Sequence, residues 1–194
     1  MMAYRGLIAR TGGVAVIACL GVATSSWAGT DTSNLNVSAS VQQVCTITTT
    51  TVAFGTYDPF VANATAGADK TAQGAVNLTC TKGSGSPTAV TIGLGAGSNA
   101  AGNTGTPATT RALKDSATAN YLDYELYQPN GTTPVATCTF SGTVWNSANL
   151  LATTGTTWGV VAGAQAFKVC GVIPKGQDPV QGTFADIVVA TVNF

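Results

Sequence analysis

Two carboxylate residues, Asp123 and Glu125, lie two positions apart in the stretch Tyr-Leu-Asp-Tyr-Glu-Leu-Tyr. In a β-strand, residues two apart point to the same face, so this spacing would bring both side chains together. Paired carboxylates on one face can carry out glycoside hydrolysis. The alternative is a solvent-facing pair opposite the apolar residues Leu122, Tyr124 and Leu126, and we favour this second interpretation.

Other catalytic chemistry finds little support in the sequence. The chain contains no histidine, which excludes a serine or cysteine nucleophile activated by histidine. The remaining aspartates that we considered stand beside glycine, proline or lysine, where aspartate usually shapes turns; they are Asp58, Asp69, Asp115 and Asp178. The sequence also lacks phosphate-binding and calcium-binding loop motifs. We therefore predict that the protein is not an enzyme and has no catalytic residue, no bound metal and no cofactor.

Cysteine usage indicates an oxidising compartment. The chain has five cysteines, of which Cys19 falls within the N-terminal 28 residues. The remaining four are Cys45, Cys80, Cys138 and Cys170. An even number in an exported chain predicts two disulfides, with three connectivities available. We favour Cys45–Cys80 with Cys138–Cys170, because these pairs close loops of similar length. Zinc binding is the alternative, but the chain has no CxxC pair and no histidine.

The N-terminal 28 residues have the features of a secretory signal peptide. Arg5 and Arg10 provide a basic start, an apolar run follows at 12–22, and small residues flank Trp27 as signal peptidase requires. The apolar run is too short to span a membrane, which argues against the alternative of an N-terminal membrane anchor. We therefore expect export and a mature chain that starts near Gly29.

The composition favours an all-β domain with few charges. Charged residues make up 8% of the chain, whereas about a quarter is typical of globular domains. Beyond the signal peptide, six basic and eight acidic residues remain and form no basic stripe, so we expect no nucleic-acid partner. High Thr and Val content with frequent short turns is typical of a β-sandwich. We predict strands at 121–127, 135–144 and 164–172 among others, and an exposed loop at 95–110.

The two ends of the mature chain carry complementary strand patterns. Residues 184–194 predict a single β-strand, and no residue follows it to cover its outer edge. One parity of this strand is apolar; its members are Phe184, Val188, Ala190, Val192 and Phe194. Near the N-terminus, a period-two stripe predicts an amphipathic strand behind a loose polar start; its members are Leu35, Val37, Ala39 and Val41.

An exposed apolar strand edge invites pairing with another chain. If the N-terminal stripe of one copy fills a groove beside the C-terminal strand of the next copy, the head-to-tail contact makes an open filament. We therefore divide the chain into a signal peptide at 1–28, a donor-strand segment at 29–43 and a β-sandwich domain at 44–194.

Several segments along the mature chain resemble those of one family. They are Val-Ala-Phe-Gly-Thr-Tyr-Asp-Pro at 52–59, Asn-Leu-Thr-Cys at 77–80, Arg-Ala-Leu-Lys at 111–114, Leu-Asp-Tyr-Glu-Leu-Tyr at 122–127, Gly-Thr-Phe-Ala-Asp at 182–186 and Val-Asn-Phe at 192–194. In this order, and with the signal peptide and the free ends, they resemble the spore coat U-domain family, which includes the major pilins of archaic chaperone–usher pili.

The resemblance implies an incomplete immunoglobulin-like β-sandwich that a donor strand from another subunit completes. It implies that a periplasmic chaperone first lends a strand to the groove beside residues 184–194, and that an outer-membrane usher then exchanges it for the donor stripe of the next subunit. The implied protein is a structural pilin subunit in an extracellular, cell-surface pilus (fimbrium) for adhesion and biofilm formation. Its partners would be identical or homologous pilin subunits, the chaperone and the usher.

Two other functions remain open at this point. A protein with the same domain could form a spore or cell coat without a long pilus. A tip adhesin that binds a surface or a carbohydrate is the second alternative. A tip subunit should carry an additional binding domain and need no donor segment, whereas this chain offers one domain and a donor stripe.

Overall fold

A computed structural model describes most of the chain. The described residues are 28–84, 89–106, 108–154, 156, 158–159 and 162–194. The predicted signal peptide at 1–28 lies outside them, except for Ala28. The chain divides into two units, Met1–Ala39 and Ser40–Phe194. In the first unit, the described residues 28–39 form neither helix nor strand and are exposed.

The described part of the second unit is built from nine short β-strands. They are β1 (Cys45–Thr50), β2 (Lys70–Cys80), β3 (Thr91–Leu94), β4 (Arg111–Asp115), β5 (Tyr121–Tyr127), β6 (Leu151–Ala152), β7 (Gln165–Ile173), β8 (Phe184–Ala185) and β9 (Ala190–Asn193). One 3-10 turn at Ala100–Gly102 lies between β3 and β4. None of the described residues forms a helix that could cross a membrane.

The strands form two antiparallel sheets that pack as a sandwich. The larger sheet has the order β1-β2-β7-β5-β4-β8, and the smaller has the order β6-β3-β9. Every ladder between these strands is antiparallel. The predicted all-β sandwich is therefore confirmed.

The core lies between the two sheets, where strand alternation directs apolar side chains inward. Leu78 and Phe167 from the larger sheet and Ile92 from the smaller sheet are all 0% exposed and belong to one cluster. Trp145, also 0% exposed, joins this cluster, and its indole Nε1 donates to the Ile92 carbonyl at 2.9 Å. The buried indole N–H therefore has a partner, as such groups require.

Two of the predicted strands differ from the structure. Residues 135–144 form no strand, because the backbone is left-handed at Phe140 (φ 56°) and Gly142 (φ 103°), which interrupts an extended run. The C-terminal segment forms two strands instead of one. Its first part, β8, pairs with β4 in the larger sheet, whereas β9 pairs with β3 in the smaller sheet. The segment thus crosses from one sheet to the other.

The expectation that Asp123 and Glu125 face solvent is wrong. They are 2% and 1% exposed, because the segment predicted as an exposed loop at 95–110 covers the outer face of β5. The backbone N–H of Thr104 donates to Asp123 Oδ2 at 3.1 Å, and that of Thr110 donates to Glu125 Oε2 at 2.8 Å. Both carboxylates therefore hold this covering segment against the sheet.

Arg111 lies at the centre of the same network and is 0% exposed. Its guanidinium forms an ion pair with Glu125 and donates through Nη2 to the carbonyls of Gly95, at 2.8 Å, and Trp145, at 2.6 Å. Gly95 directly follows β3 of the smaller sheet, whereas Arg111 opens β4 of the larger sheet. The side chain therefore ties the two sheets together, with its buried charge paired and hydrogen bonded as stability requires.

The described residues contain two disulfides, and their pairing is the one that we favour from the sequence. Cys45–Cys80 joins directly opposed residues of β1 and β2. Cys138–Cys170 fastens the connection after β5 to β7. Loops of 35 and 32 residues are closed in this way. In the chain-entropy model each bridge stabilises the fold by about 3–4 kcal/mol.

We expect Glu125→Gln to lower the free energy of unfolding by about 3–5 kcal/mol, because it leaves the Arg111 charge buried without its counter-ion. Urea denaturation of a chain that starts at Gly29 measures this change. Asp178→Asn, which removes one carboxylate charge from an exposed position, serves as the control. Equal losses for the two variants would contradict a structural role for the buried ion pair.

Candidate functional site

An open groove of about 810 Å³ runs along one side of the sandwich domain. One wall is the segment 51–57, which follows β1, and the other is the segment 179–186, which includes β8. Leu113, Leu122 and Ile173 also line the groove from three strands of the larger sheet. Two of these three, Leu122 and Ile173, belong to the buried core, so the groove reaches the interior of the sandwich.

The first wall alternates between half-buried and exposed residues. Val52 and Phe54 are partly buried against the core, whereas Thr51 and Ala53 are exposed. Both apolar side chains lie over Gly171 of β7, where a Cβ atom would come within 2.6 Å of Val52 Cγ1 and 2.7 Å of Phe54 Cζ. The glycine therefore makes room for this wall on the sheet.

The second wall, with the C-terminal segment that continues it beyond the groove lining, shows the parity predicted from the sequence. Phe184, Val188, Ala190 and Val192 are partly buried and pack against the core. The opposite parity faces solvent, with Ile187 72% and Val189 66% exposed. Phe194 departs from the pattern, because it is 50% exposed and does not pack against the core.

Strand β8 of this wall is an edge strand of the larger sheet. The outer edge of β8 pairs with no other strand among those described. Inward residues of the central strand β7, such as Phe167, are 0% exposed, whereas those of the second wall keep part of their surface accessible. The groove therefore combines an unpaired backbone edge with a row of half-buried apolar side chains, which is the geometry that accepts an added β-strand.

A polar anchor fixes the second wall to the sheet below it. The Tyr124 hydroxyl donates to Asp186 Oδ2 at 2.7 Å, and Asn99 donates to Asp186 Oδ1 through its backbone N–H and its side-chain amide, each at 3.1 Å. Burial and the Asp186 carboxylate raise the pKa of Tyr124, so its proton stays in place. Gly97 makes room for the carboxylate, since a Cβ there would lie 2.0 Å from Asp186 Oδ2.

A second polar anchor fixes the end of the first wall. The Tyr57 hydroxyl donates to the Pro174 carbonyl at 2.9 Å and accepts from the Gln177 backbone N–H at 3.1 Å. Asp58 Oδ1 accepts from the backbone N–H groups of Phe60 (2.9 Å) and Val61 (3.1 Å), which lower the pKa of this carboxyl. Asp58 thus shapes a turn, as predicted from its place before a proline.

The predicted donor residues lie in the N-terminal part of the chain. Leu35 and Val37 are each 87% exposed, Val41 is 85% exposed, and Ala39 is exposed as well. Residues 28–44 belong to no strand. The residues of the predicted donor strand therefore form an exposed apolar stripe that belongs to no sheet.

Sequence reasoning missed the first wall as a functional element. Val52 and Phe54 alternate with small residues ahead of Tyr57, and this alternation was available as a signal. The segment carries part of the family resemblance, but the predicted acceptor site does not include its side chains. Among the described residues, no group of three or more Cys, Asp or Glu side chains could hold a metal ion.

Comparisons with known proteins place the chain in a family. The family model for the spore coat protein U domain matches residues 31–191. The chain belongs to this family. It is similar to protein U of Myxococcus xanthus, with 35% identity over 171 residues, which cover 86% of this chain and 87% of that protein.

A solved structure also resembles this family member. The similar chain comes from the pre-assembly complex of a chaperone with a tip adhesion subunit, from the archaic chaperone–usher Csu pili of Acinetobacter baumannii. The TM-score is 0.50 at 19% identity, and the match covers 79% of this chain and 40% of that chain. At this identity the likeness establishes a shared fold.

We expect Tyr124→Phe to reduce the free energy of unfolding by about 1.5–3 kcal/mol at pH 8, because it removes a hydrogen bond to a charged group. The raised pKa of Tyr124 sets the pH dependence. The stabilisation is complete below the ordinary tyrosine pKa of about 10 and is lost as the pH rises towards the folded value. The difference in free energy of unfolding between the unaltered chain and the variant should therefore decrease from pH 8 to pH 11.

Urea denaturation at pH 8 and pH 11 measures the effect. Tyr121→Phe, which removes a hydroxyl from another tyrosine on the same strand, is the control. A Tyr124→Phe variant as stable at pH 8 as the Tyr121→Phe control would show that the anchor contributes nothing.

Proposed function

We propose that the protein is a structural pilin subunit that polymerises by donor-strand exchange into surface pili of the chaperone–usher type. The pili would serve adhesion and biofilm formation. The groove between residues 51–57 and 179–186 carries this proposal, because it leaves apolar side chains half-buried beside an unpaired strand edge. Family membership and the fold shared with a pilus protein support the same assignment.

The N-terminal stripe has the chemistry that the groove would accept. Leu35, Val37, Ala39 and Val41 recur at every second position, so a strand formed there would present all four to one face. Burying the three larger side chains would contribute roughly 5–9 kcal/mol. The backbone hydrogen bonds of the added strand would increase this gain, and the entropy cost of ordering a loose segment would offset part of it.

The same groove would bind two partners in sequence. In this proposal a periplasmic chaperone lends a strand to the side chains of Phe184, Val188, Ala190, Val192 and Phe194, which protects the apolar edge during export. An outer-membrane usher then exchanges that strand for the stripe of an identical or homologous subunit. The chain would thus pass through the periplasm and end in an extracellular fibre.

A coat protein is the second candidate, and the family description itself favours it, since the matching domain is that of a spore coat protein. In that case the same strand exchange would build short or branched assemblies in a layer. Electron microscopy of the purified surface material distinguishes the two. Thin fibres support the pilin assignment, whereas a sheet or an amorphous layer would replace it with the coat assignment.

We expect Val37→Asp to weaken the joint between subunits, because it would place a charge in an apolar groove. Ser38→Asp adds the same charge on the opposite face of the predicted strand and should leave polymers intact.

Deleting residues 30–41 should give a chain that still binds the chaperone but cannot add to a preceding subunit. Polymer length on native gels is the measurement, and continued polymerisation of the deletion variant would refute the donor assignment.

The acceptor side is tested by Val188→Arg, which places a charge at an inward position just beyond the groove lining and which we expect to prevent strand addition. Val189→Arg, at the neighbouring position on the exposed face, is the matched control. A Val188→Arg chain keeps its donor stripe, and a chain without residues 30–41 keeps its groove, so an equimolar mixture should stop at heterodimers. Long polymers from this mixture would show that the groove is not the acceptor.

A further inference from the structure

Two large apolar residues project from a turn that is held firmly in place. Phe60 is 86% and Val61 75% exposed. The Asp58 carboxylate accepts from both of their backbone N–H groups, and Asn63 Oδ1 accepts from the Asp58 N–H at 3.0 Å. The Asn63 amide also donates to the Ala68 carbonyl at 2.8 Å. A rigid turn that presents apolar side chains to solvent has the properties of a binding surface, since little ordering is needed on contact.

This turn lies at one end of the groove. Phe60 lines the groove together with Val180, which is 47% exposed and belongs to the opposite wall. We name Phe60, Val61 and Val180 the apolar rim. The rim continues the apolar lining of the groove outward. The residues that follow a strand bound in the groove would therefore lie close to these side chains.

The attachment of the N-terminal stripe to its own domain is very short. The Thr81 hydroxyl donates to the carbonyl of Gln42 at 3.3 Å and accepts from the backbone N–H of Val44 at 3.0 Å. The Thr81 backbone N–H donates to the Val44 carbonyl at 2.8 Å. The domain therefore holds the chain from Gln42 onward, one residue after the end of the stripe at Val41. One residue spans at most about 3.6 Å.

The direction of the added strand decides which end of the groove this short attachment meets. Every ladder in the described sheets is antiparallel, and antiparallel pairing is the more stable mode. A stripe paired antiparallel to the segment from Phe184 to Asn193 would end with Val41 beside Phe184. That end of the groove is the one that carries the apolar rim.

We infer that the apolar rim of one copy binds the sandwich domain of the neighbouring copy, on the surface around its Val44. This inference rests on the proposed donor-strand exchange and specifies a second contact at the same joint. Val44 is 54% exposed and lies two residues beyond Gln42, so it would face the rim as soon as the stripe is bound. An apolar contact here fixes the angle between successive domains, which a flexible tether would leave free.

The first test is the full chain with Phe60→Ser and Val61→Ser, compared with Val135→Ser, which alters an equally exposed valine (84%) outside the groove. Fibres are isolated from cells that produce each form, and their dissociation in guanidinium is followed. We expect the double variant to form fibres that dissociate about tenfold faster or more, since a buried aromatic anchor at an interface typically contributes that much. Val135→Ser fibres should behave like those of the unaltered chain.

The second test is a chain that carries both Val44→Cys and Phe60→Cys, with Val44→Cys and Val135→Cys as the control pair. In isolated fibres, the first pair should oxidise to a ladder of covalently linked subunits on non-reducing gels, and the control pair should not.

The outcomes distinguish a failure of the rim contact from a failure of the proposed donor-strand exchange. Suppose that the unaltered chain forms fibres and that these fibres need residues 30–41. If fibres of the double variant then dissociate at the control rate and the cysteine pair forms no ladder, the rim contact is refuted and the strand exchange stands. If the unaltered chain forms no fibres, or its fibres do not need residues 30–41, both are overturned.

Discussion

The buried charge of Arg111 sets the arrangement of the two sheets. Glu125 balances this charge, and the guanidinium holds the Gly95 carbonyl at the end of β3. The N–H of the same glycine donates to the Val189 carbonyl at 2.8 Å. A continuous polar path thus runs from β5, through β4 and the smaller sheet, to the C-terminal wall of the groove. In a sandwich whose apolar core is open along one side, such contacts position a wall that side-chain packing alone would leave loose.

The residues that carry the family resemblance act mainly in this way. Tyr57 and Asp58 fasten the first wall, and Tyr124 and Asp186 fasten the second. The two tyrosine hydroxyls donate to a specific carbonyl or carboxylate oxygen, and the two carboxylates accept from specific N–H or O–H groups. The apolar residues that face the groove, in contrast, need only size and parity.

Much of the fold could be predicted from the sequence, because strand parity is a local property. The alternation of apolar residues at 184–194 gave the correct inward face, and the composition gave the correct class. The burial of Asp123 and Glu125 could not be predicted in the same way. It depends on a distant segment that folds over β5, and on Arg111, whose side chain reaches across two sheets. The crossing of the C-terminal segment between sheets is likewise a property of long-range pairing.

The Cys45–Cys80 bridge determines how a chain that is pulled from its N-terminus bears the load. Force applied through Gln42 would reach the domain at the start of β1, which is an edge strand held by hydrogen bonds to one neighbour. Without a covalent link, such a strand would peel away one hydrogen bond at a time. The bridge stands at the first residue of β1 and transfers the load to β2, whose other side is bonded to β7 along nine residue pairs. Tension would then act across the whole central sheet in shear, and the first wall of the groove would keep its shape under load.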